Sequence, residues 1–219
     1  MKIDNFFDKI NNFIIKHEKN KQNINILEFG VREGRSTSLF LELCKNNRGK
    51  LLSVDIDDYS DLFNDNNWKF IKCRDDDSGQ IKPLIKDKLD LILIDSLHEP
   101  KHVSKLIYMY WENLSVNGSM YIDDISWLPY VKNNWRDHEY TENINRDTFN
   151  EILNIKNANW DNIKLCFDFN GSGMCRIEKV NNFNLNKKKL IINRQNFFKK
   201  KIKQFYNYLN QNKALYYPN

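Results

Sequence analysis

Apolar and polar residues alternate in blocks along most of the chain. Several short apolar runs are continuous, as expected for strands that are covered on both faces. We predict strands at 24–29, 50–55, 68–73, 89–95 and 118–123. Other stretches carry apolar residues at helical spacing, and we predict helices at 3–18, 36–46, 79–87, 100–114, 147–157 and 193–210. This alternation of strands and helices is typical of a parallel, doubly wound sheet.

The pattern changes after Asp124. Residues 125–147 show little periodicity and are rich in Trp, Tyr, Asn and charge, so we predict a long functional loop that shapes a ligand pocket. Two further strands, 163–169 and 174–180, flank a turn at 170–173 and predict an antiparallel hairpin. The predicted fold is therefore α/β. It is a Rossmann-like, doubly wound, seven-stranded sheet, mostly parallel, with an antiparallel C-terminal hairpin strand and helices on both faces.

The charge of the chain is unevenly distributed. The net charge is +5, yet residues 181–219 contain several Lys and Arg residues and no Asp or Glu. We predict three parts, which are an N-terminal amphipathic helix in 1–23, a main domain in 24–180, and a basic helical extension in 181–219. The extension is either a solvated helical face or a contact for nucleic acid, anionic lipid or an acidic partner.

Composition argues against several protein classes. No apolar run approaches the roughly 18 residues of a membrane-spanning helix, and no long apolar stretch near the N-terminus predicts a signal peptide. The four cysteines show no C-x-x-C spacing. We therefore expect reduced thiols and a cytoplasmic protein.

Glycines follow the first predicted strand. Gly30 and Gly34 form a loop that enters a helix through Ser36. Glycine lets the backbone pass close to a ligand, and the start of a helix offers N–H donors to an anionic group. The spacing, Glu-x-Gly-x-x-x-Gly from Glu28, differs from that of dinucleotide binders. The loop therefore indicates a ligand site without identifying the ligand.

Acidic residues follow the next two predicted strands at the same predicted edge of the sheet. Asp55 ends the second strand, where a carboxylate can accept hydrogen bonds from both hydroxyls of a ribose. Asp75 and Asp76 follow the third strand. Ligands of open α/β sheets bind at the carboxyl edge of the strands, so these loops are expected to converge on one crevice.

A second acidic group is expected beside this crevice. Asp95 ends the fourth strand, and Asp123 and Asp124 end the fifth. Neighbouring parallel strands lie about 5 Å apart, so these carboxylates would repel one another without a cation. Oxygen ligands of this kind suit Mg²⁺, or Mn²⁺ and Ca²⁺, better than zinc. His98 is a candidate base beside them, because neutral imidazole accepts protons at physiological pH, and His102 is secondary.

On these residues the chain resembles the class I S-adenosylmethionine-dependent methyltransferases. Within that group it is similar to the metal-dependent small-molecule O-methyltransferases of the catechol, macrocin and cephalosporin-biosynthesis types. The resemblance covers about residues 24–180, and the C-terminal hairpin matches the antiparallel seventh strand of the family.

The resemblance implies a role for each site residue. It places the methionine part of the cofactor among Glu28, Gly30, Gly34 and Ser36. It implies that Asp55 holds the ribose, that Ile56 lies beside the adenine, and that Asp75 or Asp76 lies near the adenine amino group. It implies a divalent metal on Asp95, Asp123 and Asp124, with Asp95 also beside the cofactor, and His98 where the family has its catalytic base.

The implied function is metal-assisted O-methylation of a sugar or another small molecule, with S-adenosylmethionine and Mg²⁺ or a similar cation. A homodimer is one possible assembly. An RNA ribose 2′-O-methyltransferase is an alternative suggested by the basic tail. The active site of such enzymes has a Lys-Asp-Lys-Glu pattern, however, and no lysine stands near Asp95 in the sequence. A non-catalytic module that binds nucleic acid or lipid is the alternative from another class.

Overall fold

The computed structural model describes residues 10–127, 139–187, 198, 201, 202 and 205. The strands are β1 Asn25–Phe29, β2 Lys50–Asp55, β3 Trp68–Lys72, β4 Leu89–Ile94, β5 Leu114–Asp123, β6 Ile163–Asp168 and β7 Met174–Lys179. The α-helices are α1 Lys16–Glu18, α2 Arg35–Asn47, α3 Ser78–Ile81, α4 Pro100–Tyr110 and α5 Glu139–Ala158. A π-helical turn, Ile10–Ile15, precedes α1, and 3₁₀ turns follow α3 and α4 at Lys82–Leu84 and Trp111–Asn113.

The seven strands form one sheet in the order β3-β2-β1-β4-β5-β7-β6. The pairs among β1 to β5 are parallel, whereas β7 is antiparallel to both β5 and β6. The predicted fold is therefore confirmed, including the C-terminal hairpin. The strand order reverses between β1 and β4, and crevices for ligands form at the carboxyl ends of strands at such a reversal.

Each face of the sheet carries its own apolar core. The core on one face joins the strands to α3, α4 and α5 through residues such as Ile81, Leu106 and Ile152. The core on the other face joins them to α2 and to the N-terminal turn, where Ile10 and Ile14 are fully buried. Successive residues of a strand point to opposite faces, so the apolar runs of β1 and β4 supply both cores.

Several predicted element boundaries were wrong. The helix predicted at 100–114 ends at Tyr110, and β5 begins at Leu114 and not at residue 118. The helix predicted at 79–87 is limited to α3 and the short 3₁₀ turn, and Ile85 is already extended. Pro83 lies in that turn, and proline cannot donate the hydrogen bond that a longer helix needs.

The predicted loop at 125–147 is wrong in its second half, because α5 begins at Glu139. Its buried stripe contains Asn145 and Thr148 beside Ile152 and Ile155, so polar residues occupy part of the buried face. Asn145 is accepted there because its side-chain amide donates to Ser126 O at 2.8 Å. The hydrophobic period was therefore not visible at the start of this helix.

Contacts divide the chain into two units, Met1–Lys189 and Leu190–Asn219. In the second unit the structure describes Phe198, Lys201, Ile202 and Phe205, all of them helical, and the three apolar side chains are more than 60% exposed at 75%, 67% and 63%. None of the described helices combines the length and the apolar character that crossing a bilayer requires. The boundaries predicted after residues 23 and 180 stay predictions.

Candidate active site

The glycine loop packs tightly against the end of β4. Gly30 has a φ of 93°, and a Cβ built on it would lie 2.0 Å from the carbonyl oxygen of Asp95. No other residue fits there, because real Cβ atoms do not approach backbone that closely and positive φ is costly for them. Arg32 and Gly34 also have positive φ values, 50° and 72°. The loop therefore has a fixed shape where it packs against the end of β4.

Asp55 holds this loop from β2. Its Oδ2 accepts hydrogen bonds from the N–H of Val31 at 2.7 Å and of Arg32 at 3.3 Å, and its Oδ1 accepts from the N–H of Asp57 at 3.1 Å. A carboxylate offers about four lone-pair positions, so Oδ1 retains the capacity to accept a further donor. Ile56, the next residue, is a large apolar side chain with 65% of its surface exposed. A polar acceptor and an exposed apolar side chain thus stand side by side after β2.

Glu28 lies beneath the loop and is completely buried. Its carboxylate accepts hydrogen bonds from Ser36 at 2.5 Å, Thr37 at 2.8 Å and Ser53 at 2.6 Å. Burial raises the pKa of Glu28 to about 7, although the three hydroxyl donors lower it and the nearby Asp55 charge raises it slightly. Glu28 therefore joins β1, β2 and the start of α2 through a single side chain.

The acidic residues after β3 face different partners. Asp76 pairs with Arg74 at 2.9 Å and with Lys105 at 2.8 Å, and these hydrogen bonds hold the pKa of Asp76 well below its usual range. Asp75 is buried, and its carboxylate contacts Ser96 and His102. Asp77 caps α3 by accepting from Gln80. Each of the three carboxylates thus has a distinct environment.

His98 lies between two of the predicted metal ligands. Its Nε2 is 3.6 Å from Asp95 Oδ1 and 3.7 Å from Asp124 Oδ2. Asp124 reaches this position with a φ of 55°, in the left-handed region that Asp tolerates better than most residues. Thr148 Oγ1 donates to the carbonyl oxygen of His98 at 3.1 Å, which ties His98 to α5. The structure therefore brings Asp95, His98 and Asp124 together at the ends of β4 and β5.

Asp123 has a different neighbourhood. It is only 3% exposed, and its Oδ1 lies 3.3 Å from the hydroxyl of Ser172, in the turn between β6 and β7. Within the described ranges, no three His, Cys, Asp or Glu side chains form a group that could hold a metal ion. The three-carboxylate ligand set thus stays a prediction.

Two carboxylates nevertheless fit a Mg²⁺ site of the usual kind. Mg²⁺ keeps several water ligands in proteins and is commonly held by one or two carboxylates. Asp95 and Asp124 each place a carboxylate oxygen near the same atom, His98 Nε2. Each of the two side chains is 22% exposed, so water reaches them. The donor chemistry therefore suits a hydrated hard cation and not a zinc ion, which prefers nitrogen and sulfur ligands.

Aromatic side chains line the region that follows Asp124. The Trp127 ring centroid is 4.3 Å from that of Phe149 in α5 and 5.6 Å from that of Phe169. Trp127 belongs to the predicted pocket-shaping segment 125–147, of which the structure describes 125–127 and 139–147. Residues 128–138 lie outside the described residues.

Several partners of the site residues could not be predicted from the sequence. Thr37 and Ser53 bind Glu28, Thr148 binds His98, and Ser172 contacts Asp123. Among these four, Thr37 alone had a local signal in the sequence, because it lies at the start of α2 and hydroxyl residues favour helix starts. The others come from distant parts of the chain, so no local pattern marks them.

Comparisons with known proteins concern the same part of the chain. Residues 27–125 match a family model described as a methyltransferase domain. No curated protein matches the chain. The segment matched by the family model begins in β1 and ends just after Asp124, so it contains every predicted site residue from Gly30 to Asp124.

Solved structures with the same fold include three informative ones. MycE methyltransferase from the mycinamycin biosynthetic pathway, in complex with Mg, SAH and mycinamycin VI, has a TM-score of 0.60 and 18% identity, over 83% of this chain and 51% of that chain. A putative caffeoyl-CoA O-methyltransferase from Staphylococcus aureus has a TM-score of 0.59 and 14% identity, over 82% and 85%. A putative rRNA-methylase from Clostridium thermocellum has a TM-score of 0.54 and 16% identity, over 83% and 99%. The match spans about half the length of the MycE chain.

Proposed function

We propose that the chain methylates a hydroxyl oxygen of a sugar or another small molecule, with S-adenosylmethionine as the methyl donor and with the help of a divalent cation. The match of residues 27–125 to a family model described as a methyltransferase domain supports this proposal. The observation that carries this proposal is the meeting of His98, Asp95 and Asp124 next to the glycine loop. A candidate base and two hard ligands stand where the fold has its crevice.

The cofactor would lie along the loop between β1 and α2. Asp55 would accept hydrogen bonds from the ribose hydroxyls through its remaining lone pairs, and the exposed Ile56 would cover one face of the adenine. Asp75 or Asp76 is proposed near the adenine amino group. Glu28, Gly30, Gly34 and Ser36 would border the methionine part, with Glu28 and Ser36 shaping the loop from below because both are buried.

His98 is proposed as the base. The acceptor hydroxyl gives its proton to Nε2, and the oxygen forms a bond to the methyl carbon as the bond from that carbon to the sulfonium sulfur breaks. The electron pair of the broken bond stays on sulfur, so the products are a methyl ether and S-adenosylhomocysteine. The protein contributes mainly by holding the reacting atoms in line.

Asp95 and Asp124 would hold the cation, with Asp123 behind them. Mg²⁺ bound there would supply Lewis-acid chemistry that lowers the pKa of the acceptor hydroxyl. The MycE complex contains Mg. Because MycE shares the fold of this chain, its Mg supports the proposed cation by analogy of fold alone.

Methylation of an RNA ribose is the second candidate. The putative rRNA-methylase shares the fold, and residues 181–219 are basic. The absence of a lysine near Asp95 and the carboxylates after β5 favour the small-molecule reaction.

Calorimetric titration with S-adenosylhomocysteine, with and without Mg²⁺, tests the proposal. We expect binding in the micromolar range, followed by Mg²⁺-dependent methyl transfer from S-adenosylmethionine to a member of a panel of phenols and glycosides. No binding of S-adenosylhomocysteine would contradict the proposal, and transfer to RNA alone would favour the second candidate.

A further inference from the structure

A buried pair of side chains, Asp75 and His102, lies behind the loop that carries the candidate base. Each residue is 9% exposed. His102 Nε2 is 2.9 Å from both carboxylate oxygens of Asp75, so its N–H donates to the carboxylate. A charged acceptor makes this hydrogen bond stronger than one between neutral groups. The pair therefore fixes the end of β3 to α4.

A second bond holds Asp75 from the same helix. The hydroxyl of Tyr110, which is fully buried, donates to the backbone carbonyl of Asp75 at 2.9 Å. Asp75 is thus bound by α4 through both its side chain and its main chain. Its carboxylate has little freedom to move relative to that helix.

Asp75 in turn holds the β4–α4 loop. The Ser96 hydroxyl donates to Asp75 Oδ2 at 2.5 Å. Ser96 directly follows Asp95 and precedes His98 by two residues. On the other side of the loop, Thr148 binds the carbonyl oxygen of His98. The loop is therefore fixed on one side by Asp75 and on the other by α5.

We propose that Asp75 and His102 are positioning residues, which act through Ser96 to set the orientation of the His98 ring against Asp95 and Asp124. This inference rests on the proposed function, in which His98 takes a proton from the acceptor. Its physical reason is that a small misplacement of a reacting group lowers turnover strongly, by up to about 100-fold for an ångström. The pair touches neither reacting atom itself.

The test uses the full chain labelled with ¹³C in its histidine rings. The protein has four histidines, so the His98 signal can be identified as the one lost in His98→Gln. The wild-type spectrum is compared with those of Ser96→Ala and His102→Leu. Ser96→Ala removes the hydroxyl that Asp75 binds, and His102→Leu removes the side chain that donates to Asp75. Ser96→Thr and His102→Gln keep a donor at each position and serve as rescue variants. Ser104→Ala is the matched control, because Ser104 is on the same helix, is also 9% exposed, and donates to Glu151 at 3.0 Å away from this pair.

We expect Ser96→Ala and His102→Leu to shift the His98 ring signal and to lower turnover by 10-fold or more, a size consistent with the roughly 100-fold limit above. The affinity for S-adenosylhomocysteine should stay within about threefold, since neither Ser96→Ala nor His102→Leu removes a residue proposed to bind the cofactor. The rescue variants and Ser104→Ala should keep the wild-type signal. If the His98 signal responded only to a change of atoms at residue 96, Ser96→Thr would shift it as much as Ser96→Ala.

An unchanged His98 signal in Ser96→Ala, or equal shifts in Ser96→Ala and Ser96→Thr, would overturn the inference. If His102→Leu does not fold, the Ser96 variants decide, because they alter one small side chain. The spectra are recorded without cofactor or acceptor. Failure to bind S-adenosylhomocysteine would therefore count against the proposed function, and the His98 signal would still decide the role of the pair.

Discussion

The carboxylate of Asp55 is hydrogen-bonded to the backbone N–H of Val31 at 2.7 Å, so the residue proposed to bind the ribose also holds the glycine loop. One side chain at the end of β2 thereby holds the glycine loop and is also proposed to recognise the cofactor. The two roles can be separated by comparing binding with stability.

Asp55→Asn should weaken S-adenosylhomocysteine binding at least tenfold. The amide has one acceptor oxygen in place of two, and it places an NH₂ group where the loop already presents N–H donors. Calorimetry measures the affinity. Asp57→Asn, two residues away and exposed, is the control and should bind as wild type does. Equal affinities for the two variants would remove Asp55 from the ribose site.

Asp124→Asn should reduce Mg²⁺-dependent turnover by 10-fold or more, because one of the two proposed carboxylate ligands is lost. Methyl transfer measured over a range of Mg²⁺ concentrations checks this, and a chelator should abolish the activity of the wild type. Asp168→Asn at the end of β6 is the control, because its carboxylate binds Asn170 among the described residues. Turnover that ignores both the chelator and Asp124→Asn would exclude a metal at this position.

His98→Gln should lower kcat by about 100-fold or more, the usual contribution of a general base, with little change in the affinity for S-adenosylhomocysteine. Methyl transfer to the acceptor found in the panel is the measurement. His17→Gln is the control, since His17 binds the Phe13 carbonyl in the N-terminal helical segment. If His98→Gln kept full turnover, another group would have to be the base.

Glu28 should make stability fall as the pH rises. Its pKa is raised from 4.5 to about 7 in the folded protein, so its stabilising effect is complete below about pH 4.5 and is lost as the pH rises through about 7. The difference between the two pKa values corresponds to a change in the free energy of unfolding on the order of 3 kcal/mol. Denaturant unfolding between pH 5 and 8 measures it.

Glu28→Gln should flatten this pH dependence, because glutamine does not titrate. Glu42→Gln, an exposed position on α2, should leave the wild-type slope unchanged. A wild-type slope that persists in Glu28→Gln would show that another group causes it.

Gly30→Ala should destabilise the protein by about 2 kcal/mol or more, since the new Cβ meets Asp95 O and the φ of 93° is strained for alanine. Thermal or denaturant unfolding checks this. Gly79→Ala should change stability by no more than about 0.5 kcal/mol, because its Cβ would meet only the Asp77 carboxylate at 3.5 Å. Similar losses in the two variants would contradict the close packing of the loop against β4.

Much of the fold could be predicted from the sequence. Strand β2 has the predicted bounds, 50–55, and the hairpin of β6 and β7 follows from two short runs around a glycine-containing turn. The start of α5 could not be predicted, because Asn145 and Thr148 occupy its buried face and are satisfied by residues far away in the chain. Burial of polar residues depends on partners, and partners are decided by tertiary contacts.

For the site, the residues at the carboxyl ends of the strands could be predicted, since the ends of apolar runs place Asp55, Asp95 and Asp124 there. The direction in which each carboxylate faces could not, because it depends on the folded arrangement of the chain. Asp124 turns toward His98, Asp123 contacts Ser172, and Asp75 is bound by His102. An apolar run and the residue that ends it are local properties of the chain, whereas the direction of a side chain is set by the hydrogen bonds and packing that distant segments offer it.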